Sequence, residues 1–497
     1  MATSISCTSS SFLIMRYFIS LFVLLGLNLW SLDRGFALAE GTSKRHLLHP
    51  KNTHIVNLHS LLPANTCSPS TRGNKRKATL EVVHKHGPCS HLPQNKGTTM
   101  NHTQILEQDQ ARVNSINSRT SKKLNGVEDL SQSEATSLPA QLASSQGAGN
   151  YIVRVGLGTP TKQLSLEFDT GSYFTWTQCQ PCAVSCYPQN DTIFDPASST
   201  SYANVSCNNA KCVELGASTK YNSCLRGTCL YRMLYGDEYH NSYTIGLLAK
   251  DKLTLTSNDV FDGFLFGCGE ENVRFIGPSA GLLGLSRNNF SIIEQTAQKY
   301  GRFFSYCLPP TASSTGYLSF GSPGRASSAA VRYTRLTTLS LSSSYYGLDV
   351  VGINVNGQKL SIPPSVFSSP GTIIDSGTVI SRLGSTAYSA LRDAFKAAMK
   401  SYPAAAPDEL LDTCYDLSGY STVTYPKIAF VFGGGVTLDL DETGIVYFLN
   451  GLKQVCLAFA GYDDDKHIAI FGNTQQKNME VLYDVAGGRV GFAPGGC

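Results

Sequence analysis

Two stretches of this chain repeat one another at long range. "LSLEFDTGS" (164–172) and "GTIIDSGT" (371–378) each run an apolar, strand-like segment into Asp, Ser or Thr, Gly, and Ser or Thr. The two acids, Asp169 and Asp375, stand 206 residues apart. Each motif has a later partner, an apolar pair followed by Gly: "LLG" (282–284), 113 residues after Asp169, and "IFG" (470–472), 95 residues after Asp375. A lone D-[ST]-G arises often by chance. Two of them with matched downstream partners point to a duplicated lobe, one carboxylate per copy.

What surrounds the motifs supports two lobes. With 497 residues, 42% of them hydrophobic and 15% charged, the chain has material for a large core. From Tyr151 onward it reads as short strands punctuated by Gly, Asn, Asp and Ser: "YIVRVGLG", "KLTLT", "GFLFGCG", "KIAFVFGGG", "MEVLYDVAGGRVGFAP". Helical signals in this region are few, the clearest around "FSIIEQTAQKYG" (290–301) and "STAYSALRDAFKAAMKSY" (385–402). The expected fold class is therefore all-β with a few short helices.

The first 140 residues differ. Arg16 precedes the apolar run "YFISLFVLLGLNLW" (17–30), and "ALA" (37–39) offers small residues for cleavage, so 1–39 reads as a secretory signal peptide. A signal anchor retained in the bilayer is the alternative. One strand-like piece, "ATLEVVHKHG" (78–87), and one helix-like piece, "TQILEQDQARVNSINSR" (103–119), follow among polar linkers, and "SEATSLPAQLASSQGAGN" (133–150) reads as an exposed junction open to processing. Residues 40–140 are accordingly read as a pro-segment.

Cysteine, charge and histidine divide the same way. Twelve of the 15 Cys lie beyond residue 140, an even number that suits disulfides in a secreted chain. "CQPC" (179–182) alone also matches half of a zinc or redox motif, but disulfides are the reading preferred behind a signal peptide, with no metal or other cofactor. Sequons at Asn101, Asn190, Asn204 and Asn289 suit secretion as well. Residues 1–139 carry 15 Lys/Arg against 8 Asp/Glu (+7) and 140–497 carry 25 against 28 (−3). Only His240 and His467 lie beyond His102, neither in a nucleophile motif, and no HExxH occurs, so Ser/His, Cys/His and zinc hydrolase chemistry have no evident parts.

The paired motifs, over 150–497, resemble the pepsin-like aspartic peptidases, specifically the plant nepenthesin-type branch with its cysteine-rich N-terminal-lobe insertion. Trp176, seven residues after Asp169, matches the family's flap-bracing Trp; "LYRMLYGDEYHNSYTIGLLAKDKLTL" (230–255) matches the flap hairpin with Tyr235 in the flap-tyrosine position; "VGFAP" (490–494) is a further match. The resemblance implies a bilobal pepsin-like fold with the active site between the lobes, 141–335 forming one and 336–497 the other. It implies an Asp169/Asp375 dyad that activates water without a cofactor. Thr170 and Ser376 would bond across the lobe interface, Gly171 and Gly377 permit close approach, and Ser172 and Thr378 donate to the outer carboxylate oxygens. Cys414 and Cys456 would pair. Tyr173, where relatives commonly have Asp or Ser, and the bulky, polar flap tip "GDEYHNSY" depart from the pattern; the first bears on substrate binding and neither touches the dyad.

The expectation is thus a secreted, monomeric aspartic endopeptidase made as a zymogen. Its partners would be protein or peptide substrates and its own pro-segment, with no membrane association after signal cleavage, and its location extracellular or apoplastic rather than vacuolar or plastidial. The leader's contacts are expected at "RGNKRK" (72–77) and "HKH" (84–86). Two alternatives remain: a catalytically weak binding or inhibitor-like protein on the same fold, and a nucleoid DNA-binding protease. The −3 balance of the mature region argues against nucleic acid.

Overall fold

In a computed structural model, residues 53–70, 78–92, 101–124, 150–219, 223–235, 242–273, 275, 277–322, 331–339 and 342–495 are described. The expected signal peptide (1–39), "RGNKRK" and the flap tip 236–241 lie outside them. Strand Tyr151–Leu157 pairs antiparallel with Lys162–Asp169, Ile152 opposite Glu167. The chain alternates or runs continuously apolar here because both faces are covered.

The duplication inferred from the motifs is visible in the register. Gly281–Gly284, which contains "LLG", runs parallel to the first Asp strand with Gly284 opposite Asp169. Ala469–Phe471, from "IFG", runs parallel to Thr372–Ile374, which leads into Asp375. The strand after each Asp then folds back on the same partner. Trp176 stands opposite Leu282 and Arg382 opposite Ile470, so these two residues, each seven after its Asp, occupy equivalent places. The molecule is bilobal and all-β, with few helices.

One antiparallel sheet runs from lobe to lobe. Its order is Tyr151–Leu157, Thr79–His84, Thr315–Phe320, Phe303–Cys307, Met479–Asp484, Arg489–Pro494, Arg332–Leu339. The N-terminal strand Thr79–His84 is inserted within this sheet, and Thr53–Asn57 pairs with Thr422–Pro426 farther along. Arg332–Leu339 changes partner after Arg335, from Arg489–Pro494 to Ser342–Leu348.

Ser385–Met399 is a helix as its spacing predicts, burying Ala387, Leu391, Phe395 and Met399 on one face. The other expected helix, 290–301, is instead two short turns, Ile292–Gln295 and Ala297–Tyr300. Thr296 lies between them with its hydroxyl donating to the Ile292 carbonyl, a local bond that competes with helix continuation.

Within "CQPC" neither cysteine bonds the other: Cys179 pairs with Cys268 and Cys182 with Cys186. Cys207–Cys224 and Cys212–Cys229 complete the N-terminal-lobe cluster, Cys414 pairs with Cys456, and Cys307 is also disulfide-bonded. Cys67 and Cys89, set apart in the sequence reading, bond each other.

Candidate active site

The two Asp-bearing turns meet at the junction of the lobes. Thr170 N–H donates to Ser376 Oγ at 3.0 Å and Ser376 N–H to Thr170 Oγ1 at 2.9 Å. Gly171 N–H donates to Asp169 Oδ1 at 2.9 Å and Gly377 N–H to Asp375 Oδ1 at 3.0 Å. The Ser172 hydroxyl donates to Asp169 Oδ2, and that of Thr378 to Asp375 Oδ2 at 2.6 Å. Each carboxylate is thus held by a backbone N–H on one oxygen and a hydroxyl on the other, in mirrored fashion. Gly is required at both turns: a Cβ on Gly171 would lie 2.7 Å from Asp375 Oδ1, and one on Gly377 would lie 2.5 Å from Asp169 Oδ1.

The site holds a third charged group that the sequence reading missed. Helix His102–Leu124 presents Ile105, Leu106, Asp109, Arg112, Val113 and Ile116 as one buried stripe. Ile105 and Leu106 pack with Val379, Ile380 and Tyr447, and Val113 and Ile116 with Leu339, Tyr345, Ile373 and Ile470. Arg112 reaches both acids. Its Nη2 donates to Asp169 Oδ1 at 2.7 Å and to Asp375 Oδ2 at 2.9 Å, and its Nε donates to Asp375 Oδ2 at 3.0 Å.

Charge is balanced accordingly. Burial alone would pull the guanidinium down, but the two carboxylates hold Arg112 above its ordinary value. Burial pushes both acids up. In Asp169 this is outweighed by Arg112, the Ser172 hydroxyl and the Gly171 N–H, and the net direction is down; in Asp375 burial and the neighbouring Asp169 prevail, and the direction is up. Two like acids in one low-dielectric site are thereby driven apart.

The same helix makes a second buried ion pair. Asp109 accepts from Val379 N–H at 2.6 Å, Ile380 N–H at 3.1 Å and Arg382 Nη2 at 3.0 Å. "HKH", expected to face the two carboxylates, instead places Lys85 Nζ on Glu167 Oε1 at 3.1 Å, buried in the first Asp strand and away from the dyad. The basic side chain of the N-terminal segment that does meet the dyad is Arg112. Its signal was available: two opposite charges, Asp109 and Arg112, sit within an otherwise apolar helix face.

Tyr235 and Trp176 are buried together, ring centroids 6.4 Å apart, with Phe275 against both. Asn101, Asn190, Asn204 and Asn289 are exposed. Among the described residues, no group of three or more His, Cys, Asp and Glu is arranged to hold a metal ion.

A bilobal β fold with one Asp per lobe, joined by reciprocal Thr/Ser bonds, defines the pepsin-like class. Family profiles described as Xylanase inhibitor N-terminal and Xylanase inhibitor C-terminal match residues 151–322 and 345–494. The chain is 53% identical over 449 residues to an aspartyl protease family protein of Arabidopsis thaliana (90% of this chain, 93% of that one). It is 46% identical over 486 residues to aspartyl protease AED1 of the same plant (97% and 100%). To aspartic proteinase nepenthesin-2 of Nepenthes gracilis it is 34% identical over 424 residues (81% and 93%). Among solved structures, edgp (TM-score 0.58, 20% identity, 70% of this chain and 92% of that one) and soybean basic 7S globulin (TM-score 0.54, 19% identity, 70% and 92%) share the fold. The chain belongs to the plant aspartyl protease family, in the branch that includes the nepenthesins.

Proposed function

We propose that this protein is an aspartic endopeptidase made as a zymogen, in which Asp169 and Asp375 are the catalytic pair and Arg112 is the internal plug. The observation that carries the reading is the Arg112 guanidinium seated between two carboxylates that each keep a full hydrogen-bond frame. A protein that only binds partners has no need of that frame.

With Arg112 withdrawn, two buried carboxylates cannot both ionise easily and share a proton, a dyad that serves as a standard illustration of pKa splitting. The ionised member takes a proton from a water held between them. That water attacks the scissile carbonyl carbon while the protonated member donates to the carbonyl oxygen, giving a gem-diol. No covalent enzyme intermediate forms. Collapse of the gem-diol breaks the C–N bond, the proton returning through the same pair to the leaving amine. Gly171, Gly377, Ser172 and Thr378 fix the carboxylates, Thr170 and Ser376 hold the turns together, and Tyr235 backed by Trp176 forms the wall over the substrate.

The segment from about residue 40 to 140 is the inhibitory leader in this reading, its strand Thr79–His84 completing the interlobe sheet and its helix filling the site. Disulfides and exposed sequons suit a secreted, glycosylated monomer that meets its protein substrates outside the cell. Purified precursor held at pH 4 and at pH 7, followed by mass and by cleavage of a denatured protein, tests this. Acid-dependent, pepstatin-sensitive cleavage with loss of the leader is expected. Equal activity at both pH values with the leader attached would overturn the zymogen reading, and no cleavage under either condition would overturn the peptidase reading.

A further inference from the structure

At the place where the first lobe has Trp176, the second has Arg382, equally buried and opposite the equivalent residue of the duplicated strand. An arginine in such a position needs an acceptor. Its Nη1 donates to the Ile380 carbonyl at 2.6 Å, and its Nη2 donates to Asp109 Oδ2 at 3.0 Å and Gln110 Oε1 at 3.3 Å, while Nε has no hydrogen-bond partner. Asp109 also receives the Val379 and Ile380 N–H groups. A single carboxylate therefore satisfies three donors of the second lobe, and it comes from the helix that the mature protein loses.

From these contacts we infer that the released protein carries a carboxylate-binding subsite formed by Arg382 and the Val379 and Ile380 amides, selecting substrates with Asp or Glu beside the scissile bond. The inference rests on the peptidase reading above. The leader's Asp109 stands in for the substrate side chain. Once it departs, two backbone N–H groups and a guanidinium N–H lose their acceptor beside the apolar Val379, Ile380 and Tyr447, which Ile105 and Leu106 of the same helix cover in the bound state. Leaving such groups unpaired is costly, and a substrate carboxylate restores all three bonds, whereas the isosteric amide restores them only in part. Asp109 and Arg112 are three residues apart on one helix, about 4.5 Å along its axis. An extended peptide covers about 3.3 Å per residue. The selected residue therefore lies within about three positions of the bond that is cut.

The test uses the full-length protein activated by acid, with blocked peptides that differ only in carrying Glu, Gln, Asp or Asn at each of those positions. At one position, kcat/KM for the acid is expected to exceed that for its amide about tenfold or more. Arg382→Met should collapse the ratio toward one. Peptides with free and amidated C-termini separate a side-chain carboxylate from a terminal one, and equal preference for a terminal carboxylate alone would overturn the side-chain assignment. Ratios near one at every position, with cleavage intact, would remove the subsite while leaving the peptidase reading standing. The same sequences with a reduced, uncleavable scissile bond, titrated by calorimetry into the unsubstituted protein, read the preference without turnover. They decide the matter even where Arg382→Met does not fold or no cleavage is seen: equal affinity for acid and amide overturns the inference.

Discussion

Thr170 and Ser376 hold each other by two reciprocal bonds, each residue's N–H donating to the other's hydroxyl oxygen at 3.0 and 2.9 Å. They come from separate lobes, and both are buried. Thr170→Val keeps the shape but leaves the Ser376 N–H without an acceptor. A loss of about 1–3 kcal/mol is expected, read as a lowered denaturant midpoint, together with reduced kcat from mispositioned carboxylates. An unchanged midpoint and kcat would show that the turns are held by packing alone.

The dyad reading sets a sharper test. Asp169→Asn or Asp375→Asn alone should lower kcat by about 10²–10⁴-fold, because each removes half of a shared acid/base pair. Peptide turnover by the acid-activated variants checks this. Near-wild-type turnover by either variant would sink the assignment.

Arg112→Ala should act in the opposite sense on activity. The substitution leaves two carboxylates facing an emptied space, and breaking a buried pair costs about 3–5 kcal/mol. The precursor is therefore expected to loosen at its helix and to cleave peptides at a pH where the unsubstituted precursor is silent. Activity at pH 6 before any change in mass is the measurement. A silent, stable Arg112→Ala precursor would locate the inhibition elsewhere.

The relation between these residues also explains what was legible in the sequence. The Asp turns were readable because their geometry is local: a strand, an acid, a Gly and a hydroxyl fall within a few residues, and the copy repeats them. The strand at 79–84 and the helix at 103–119 were readable by periodicity, but their partners were not. Arg112 meets acids 57 and 263 residues away, and the basic cluster at 72–77 is the more conspicuous one in the sequence. What periodicity did contain was the contradiction of Asp109 and Arg112 on a buried face. Of the cysteine pairs only Cys414–Cys456 was expected, from the resemblance, and it forms; the others were not readable, Cys179 for example joining Cys268, 89 residues on, and not its near neighbour.

If the N-terminal segment is an acid-released leader, as proposed above, its buried histidines are expected to drive the release. His84, His86 and His102 are all pulled below the ordinary imidazole value, chiefly by burial, with Lys85 and Lys477 opposing charge on His84 and reinforcing the direction. His86 falls to about 3. Around His84 stand His86 and Tyr151, and His102 Nδ1 faces the Tyr447 hydroxyl at 3.0 Å. A group whose packed-state pKa is depressed while its free value is about 6.5 is neutral in both states above that pH, so the packed state keeps its full stability there. As pH falls below 6.5 the released segment binds protons that the packed one refuses, and stability is lost progressively down to the packed-state value. For His86 alone this amounts to about 2–3 kcal/mol at pH 4.5. Asp169, held low, contributes in the same direction only below the ordinary carboxylate range, while Asp375, pushed up, takes a proton in the packed state and opposes release. Between pH 6.5 and 4.5 the histidines therefore drive release, against the opposing protonation of Asp375. Limited proteolysis of the precursor by an added acid-tolerant protease, across that range, should show the helix becoming cleavable with a midpoint that the double substitution His84→Gln, His86→Gln moves to lower pH by about half a unit or more. An unmoved midpoint would assign acid sensitivity to the dyad and Arg112 instead.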